Sequence, residues 1–271
     1  MPTFGATHHP GEWVEGLWIT PDQEPAMALT RMTASFSPPK GIGQVMILGD
    51  HDDPGNFLRG ILAQLQINHP GRVAVGESTT SDTLRHLQSL EPEVKFISGS
   101  SLLTEQRKIK SSEEIALMRK AGEITEAAFA EVVQKMKHGM TELDVILETD
   151  AQLRKQGGFG PSFNTTLYVV GPNHELLFNQ QETTWTRVLT APVSILFDFG
   201  AIYDGYCYDF GRTVSFGKPA EDLQLAHGLV MASQKAGITA MISGAATAEQ
   251  VDAAARAVID DAGLGETFRH R

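Results

Sequence analysis

Apolar and polar positions follow two rhythms along this chain. Short apolar runs at 16–20 (GLWIT), 44–50 (QVMILGD) and 72–76 (RVAVG) predict strands. Between them, Phe57, Ile61, Leu62 and Leu65 recur at helical spacing within 56–66, and SDTLRHLQSL at 81–90 predicts a second helix. Strands alternating with helices make an α/β layer domain.

Longer helical periods follow. Ser111-Ser-Glu-Glu114 has the form of a capping box and opens a long helix with Ile115, Met118, Ala121, Ile124, Ala128 and Val132 on one side, ended by Gly139. Thr141-Glu-Leu-Asp144 caps another, running to about Lys155 and closed by Gly157-Gly158. A strand at 165–170, a hairpin within 195–216 and helices near 220–241 and 247–262 complete the pattern. The junction between two domains is read near Leu103 to Lys108.

Composition narrows the function classes. With 271 residues, 41% hydrophobic and 20% charged, the chain is globular stock for one large domain or two ordinary ones. No stretch approaches the roughly 18 uninterrupted apolar residues of a membrane helix, and MPTFGATHHPGEW lacks the zones of a signal peptide, so the expectation is cytoplasmic. A net charge of −11 argues against nonspecific nucleic-acid binding and against acidic membranes. The one cysteine, Cys207, can build neither an internal disulfide nor a thiolate zinc site and is read as a packing residue of the hairpin.

Several short signals have plain explanations. Gly41-Ile-Gly43 lacks the third glycine of a dinucleotide loop and precedes a strand instead of following one. Asp50-His-Asp-Asp53 is read as a turn whose last aspartate caps a helix begun by Pro54. His8-His9 is read as an exposed pair, His227 as a surface residue, and no Gly-x-Ser-x-Gly elbow is present.

The chemistry concentrates in ILFDFGAIYDGYCYDFGRTVSF, residues 195–216, where Asp198 and Asp209 sit among apolar neighbours. A carboxylate in such surroundings is costly to ionise unless it is paired or bound to a metal. A turn centred on Tyr203-Asp204 sets the two acids directly opposite each other, and a two-residue Asp204-Gly205 turn makes them diagonal neighbours. Either way they share a face, about 5 or 7 Å apart at Cβ. Shared divalent cations would keep both ionised, whereas a solvent-facing hairpin would let both point at water.

The run Asp198-Phe-Gly-Ala-Ile-Tyr-Asp-Gly-Tyr followed by Asp209, Arg212 and Thr213 resembles the pita-bread metallohydrolases, the group of methionine aminopeptidase, aminopeptidase P, prolidase and creatinase. Arg107 to Ala121, Gly171-Pro-Asn173, and Val251 through His270-Arg271 resemble further family segments in the same order. The resemblance implies an α/β (α+β) chain: a partial creatinase-type N-terminal domain over 1–104 and a pita-bread catalytic domain over 105–271 lacking its C-terminal part. It implies a metal-dependent peptidase like Xaa-Pro dipeptidase or aminopeptidase P, acting on small peptides through metal-activated water, with two Mn, Co, Zn or Fe ions and a homodimeric assembly. By the same resemblance Asp198 and Asp209 are metal ligands, Thr213 orients a carboxylate, and Phe178 with Asn179 lines the substrate pocket.

Departures from the family pattern keep two alternatives open. Phe178 stands where relatives place a substrate-binding histidine, His174 is nearby but shifted, and Gly211 replaces a threonine. Two of five expected metal ligands are present, so the chain is expected to be incomplete at both ends and inactive as it stands. The alternatives are a creatinase-like hydrolase of a small nonpeptide C–N bond and a noncatalytic binding or assembly module on the same scaffold.

Overall fold

The computed structural model describes residues 14–36, 43–67, 71–172, 174–177, 181–242 and 244–268. His8, His9, Gly41, Asn173, Phe178, Asn179, His270 and Arg271 lie outside the described residues. The chain forms two compact units that meet in sequence at Ser111 and Ser112.

The first unit contains β1 (Gly16–Trp18), β2 (Ala26–Thr30), α1 (Arg31–Phe36), β3 (Gln44–Leu48), α2 (Pro54–Gln64), β4 (Arg72–Val75), α3 (Ser81–Leu90), β5 (Lys95–Ser98) and α4 (Ser100–Lys108). Strand β2 is the centre of a three-stranded sheet, antiparallel to β1 and parallel to β3, while β4 and β5 form a separate parallel pair. The central strand is buried on both faces, so AMALT shows no alternation for a pattern reading to find. Helix α4 buries no residue, lacks an apolar stripe for the same reason of environment, and occupies the stretch 103–108 read above as the junction.

Local chemistry sets α2. The Asp53 carboxylate accepts the Asn56 N–H at 2.7 Å, Pro54 opens the helix, and Asp52 accepts the Gly49 N–H at 2.7 Å. The Asp50–Asp53 cluster is therefore a turn and a cap. Ile61 and Leu65 pack with Ala26 and Ala28 of β2, and Leu58 and Leu62 with Leu87 of α3; Trp18 and Ile67 touch both groups.

The second unit contains α5 (Ser112–Lys135), α6 (Glu142–Lys155), β6 (Gly160–Pro161), β7 (Thr166–Val170), α7 (Gln181–Thr186), β8 (Val193–Phe199), β9 (Ala201–Tyr203), β10 (Tyr206–Cys207), β11 (Phe210–Phe216), α8 (Glu221–Ile242) and α9 (Ala248–Asp261). The α6 cap is a full capping box: Thr141 Oγ1 accepts the Asp144 N–H at 3.1 Å, and Asp144 accepts the Thr141 N–H at 2.8 Å.

Strand β8 is the middle of an antiparallel sheet between β7 and β11. Its alternate residues Val193, Ile195, Phe197 and Phe199 enter one continuous core with Ile124, Ala128 and Val132 of α5 and Val145 and Leu153 of α6. Phe129 meets Phe197 edge-on at 5.4 Å, and Phe199 meets Phe210 in the same way at 5.4 Å. Thr125, wholly buried, donates to the Ala121 carbonyl at 2.8 Å and accepts the Ala201 N–H at 3.0 Å, which fastens α5 to the start of β9. Cys207 is exposed, not packed: it lies on β10, the edge of the β10-β9-β6 sheet, where no strand or helix need cover it. His227 is exposed on α8, as expected.

Candidate functional site

The hairpin selects one of the two predicted registers. Asp204 and Gly205 have φ of 44° and 84°, positive at both central positions as a type I′ turn requires, and Tyr206 pairs with Tyr203. The same register continues into the long strands, where Gly211 pairs with Asp198 and Phe210 with Phe199. Asp209 thus falls opposite Gly200, diagonal to Asp198. Diagonal Cβ atoms lie about 7 Å apart.

The chain pinches together at this point. A Cβ on Gly200 would stand 1.7 Å from the Tyr208 carbonyl oxygen, so only glycine allows the two backbones to approach there. Ser162 adds a clasp, donating from Oγ to the Tyr208 carbonyl at 2.8 Å and from its N–H to the Gly200 carbonyl at 2.9 Å. Tyr206 donates to a Glu114 carboxylate oxygen at 2.8 Å, which fixes the hairpin tip to the first turn of α5.

The face opposite the core carries Asp198, Asp209, Gly211 and Thr213. Asp198 is half-buried between Thr166 on β7 and Gly211 on β11, whereas Asp209 and Thr213 are exposed. Burial of both aspartates, expected from their apolar neighbours in sequence, does not hold for Asp209. Its neighbours Tyr208 and Phe210 pack on the core while the aspartate takes the other side of the strand. Gly211 leaves open space beside Asp198: a Cβ there would meet nothing closer than the Phe197 carbonyl oxygen at 3.9 Å.

Two carboxylates flanking such a space are hard oxygen donors of the kind divalent ions accept. Among the described residues no group of three or more His, Cys, Asp or Glu side chains converges on one point.

A second polar cluster lies in the same unit. The Glu142 side chain, 1% exposed, accepts both Arg187 Nε and Nη2 at 2.6 Å, while Arg187 Nη1 donates to the Glu175 carbonyl at 2.7 Å. Burial pushes the Glu142 carboxyl above its ordinary range; the Arg187 hydrogen bond and charge, with the charge of His174, pull it partly back. His174 is buried, with Nε2 3.1 Å from the Val188 carbonyl. This cluster joins the start of α6 to both ends of the stretch 175–187. The separation of 45 positions from Glu142 to Arg187 hides it from any local pattern, and Glu142 reads simply as an acid in a helix's first turn.

Similarity to known proteins agrees with the hairpin. The model of metallopeptidase family M24 matches residues 116–271. YkvY of Bacillus subtilis (strain 168) is 26% identical over 268 residues, covering 97% of this chain and 71% of its own length. The Xaa-Pro dipeptidase of Lactobacillus delbrueckii subsp. lactis is 31% identical over 193 residues, 70% of this chain and 51% of that protein. Among solved structures, the X-Pro aminopeptidase from Thermotoga maritima MSB8 superposes with a TM-score of 0.74 at 25% identity, over 92% of this chain and 68% of that one. An α/β chain with an Asp198–Asp209 hairpin, matched by the family model over more than half its length, belongs to metallopeptidase family M24.

Proposed function

We propose that this protein is a metal-dependent peptidase acting on short peptides with proline after the first residue, and that Asp198 and Asp209 are two of its metal ligands. What supports this reading is the β8–β11 register, in which Asp198 pairs with Gly211 and Asp209 directly precedes the Phe199–Phe210 pair, with open space beside Gly211. The Xaa-Pro dipeptidase and X-Pro aminopeptidase among its relatives favour a peptide substrate over a nonpeptide C–N bond or a purely binding role.

When bound, divalent ions supply Lewis acidity for the scissile carbonyl and acidify water for attack near neutral pH. The residues of this chain hold and orient. Asp198, fixed in the middle strand, provides an immobile oxygen donor, and Asp209, beside the Gly200 pinch, provides one on a backbone that the Ser162 hydrogen bonds restrain. Thr213, diagonal to Asp198 on β11, is proposed to hold a carboxylate in orientation. Phe178 and Asn179 are proposed to line the substrate pocket. We take the ions to be two, of manganese, cobalt, zinc or iron, and the assembly to be a homodimer, both by family resemblance. The single cysteine supports a reducing, cytoplasmic setting.

The test is metal content by elemental analysis, with turnover of Ala-Pro and Gly-Pro in added manganese, for the wild-type protein and for Asp198→Asn and Asp209→Asn. Bound metal that chelation removes and that either substitution lowers, with any dipeptide turnover lost in step, is the expected result. Turnover indifferent to chelator and to both substitutions would overturn the assignment.

A further inference from the structure

Asp209 is exposed and makes no hydrogen bond or ion pair of its own among the described residues, so its carboxylate is placed through its backbone alone. The residue before it fixes that backbone. Tyr208 donates its N–H to the Ala201 carbonyl at 2.9 Å, and its own carbonyl accepts from Ser162 Oγ at 2.8 Å. Its ring packs on the core side and closes on the buried Gly122 of α5, where a Cβ would stand 3.0 Å from Tyr208 Cε2 and 3.1 Å from Cζ. Phe210 packs beside the same ring, with centroids 6.3 Å apart. Helix α5 grips the hairpin at two more points: Thr125 Oγ1 accepts the Ala201 N–H at 3.0 Å, and the Glu114 carboxylate accepts the Tyr206 hydroxyl at 2.8 Å. Glu114, Gly122 and Thr125, at i, i+8 and i+11, share one side of the helix.

We propose that α5 positions the Asp209 carboxylate, with Gly122 as the notch that receives the Tyr208 ring and Glu114 as the tether of the hairpin tip; this rests on the reading of Asp209 as a metal ligand. Successive side chains of extended backbone point to opposite sides, so a ring held on one side sets where the next residue's carboxylate stands on the other. Carbon atoms in ordinary contact lie about 3.5–4.0 Å apart, so a methyl group in the notch drives the ring back by roughly 0.5 Å. That displacement uses up the tolerance of about 0.5 Å within which the groups of a binding site must be held. Glycine inside a helix is destabilising relative to alanine, and the approach of Tyr208 is the contact that requires it here.

The test is the manganese affinity of the full chain, measured by titration calorimetry for wild type, Asp209→Asn, Gly122→Ala, Tyr208→Leu and the combination Gly122→Ala with Tyr208→Leu. Thermal unfolding checks that each variant is folded. Gly122→Ala and Tyr208→Leu are each expected to weaken binding about tenfold, the lower end of the loss when a group that orients a ligand is disturbed. The combination should return to within about threefold of wild type, because the smaller side chain leaves room for the methyl group. Tyr206→Phe should weaken binding by no more than about fivefold, the value of one net hydrogen bond. Where Gly122→Ala does not fold, Tyr208→Leu and Tyr206→Phe carry the test. A loss of affinity on Asp209→Asn with none on the Gly122, Tyr208 and Tyr206 substitutions overturns this proposal and leaves the ligand assignment standing. Affinity indifferent to Asp209→Asn removes both. A notch that serves the fold alone would move the unfolding temperature of Gly122→Ala and leave its manganese affinity unchanged, which also overturns the proposal.

Discussion

The two units use β-structure in contrasting ways. In the second, fourteen buried apolar residues form one core, thirteen from two helices and four strands and Leu189 from the connection before β8, and β8 is enclosed on both edges. In the first, two groups of four and three buried residues are bridged by Trp18 and Ile67, and the strands above them stop short of a continuous sheet. A continuous core fixes which side of each strand faces outward, and so can hold two aspartates to one face. A divided core leaves the described strands of the first unit in two separate sheets.

That contrast can be broken by truncating the cores. Phe197→Ala, at the centre of the second unit, is expected to cost about 3–5 kcal/mol, whereas Leu62→Ala in the smaller cluster of the first is expected near the low end of its class, about 2 kcal/mol. Urea unfolding of both variants decides the matter, and equal losses would remove the distinction.

Next in size is the buried ion pair. Arg187→Met strands the Glu142 carboxylate and should cost about 3 kcal/mol at neutral pH. The Glu142 carboxyl is raised in the folded protein, so its contribution is complete below its ordinary value of 4.5 and is lost as pH rises through the raised one. Removing Arg187 deletes the largest opposing influence, and the variant should therefore recover towards wild-type stability on acidification. A deficit that stays constant from pH 7 to pH 4 would show that Glu142 carries no charge cost.

The smallest effect concerns the α6 cap. Thr141→Ala should cost about 1 kcal/mol by thermal unfolding. Hydrogen bonds from Thr141 hold the Asp144 carboxyl below its ordinary value of 3.8, so its share of the cap is present above that pH and disappears as pH falls through the depressed one. The deficit should shrink in acid without vanishing, because only the Thr141 Oγ1 bond to the Asp144 carboxylate is both lost in the variant and dependent on ionisation.

What the sequence discloses depends on the range of the interaction. The caps at Asp53 and Thr141 and the Asp204-Gly205 turn are legible because each is written in four consecutive residues. The alternation of β8 discloses its core face for a similar reason. Strand β2 escapes because a doubly buried strand has no period, and α4 because a helix that buries nothing has no stripe. The Glu142–Arg187 pair and the close approach of Gly200 to Tyr208 are tertiary: their partners are chosen by the fold, not by neighbours in sequence. Of the candidate site, the hairpin that carries both aspartates was legible; the exposure of Asp209 was not, since apolar flanks in a strand describe the opposite side.

The register is the same on both sides of the break at Gly200, which makes the loop length an arithmetic safeguard. Adding or removing an even number of residues between Asp198 and Asp209 would leave both acids outside, while a change of one would drive a carboxylate in among Phe129, Phe197 and Phe199. Parity of the connection, more than its composition, decides whether this hairpin can present a pair of charges.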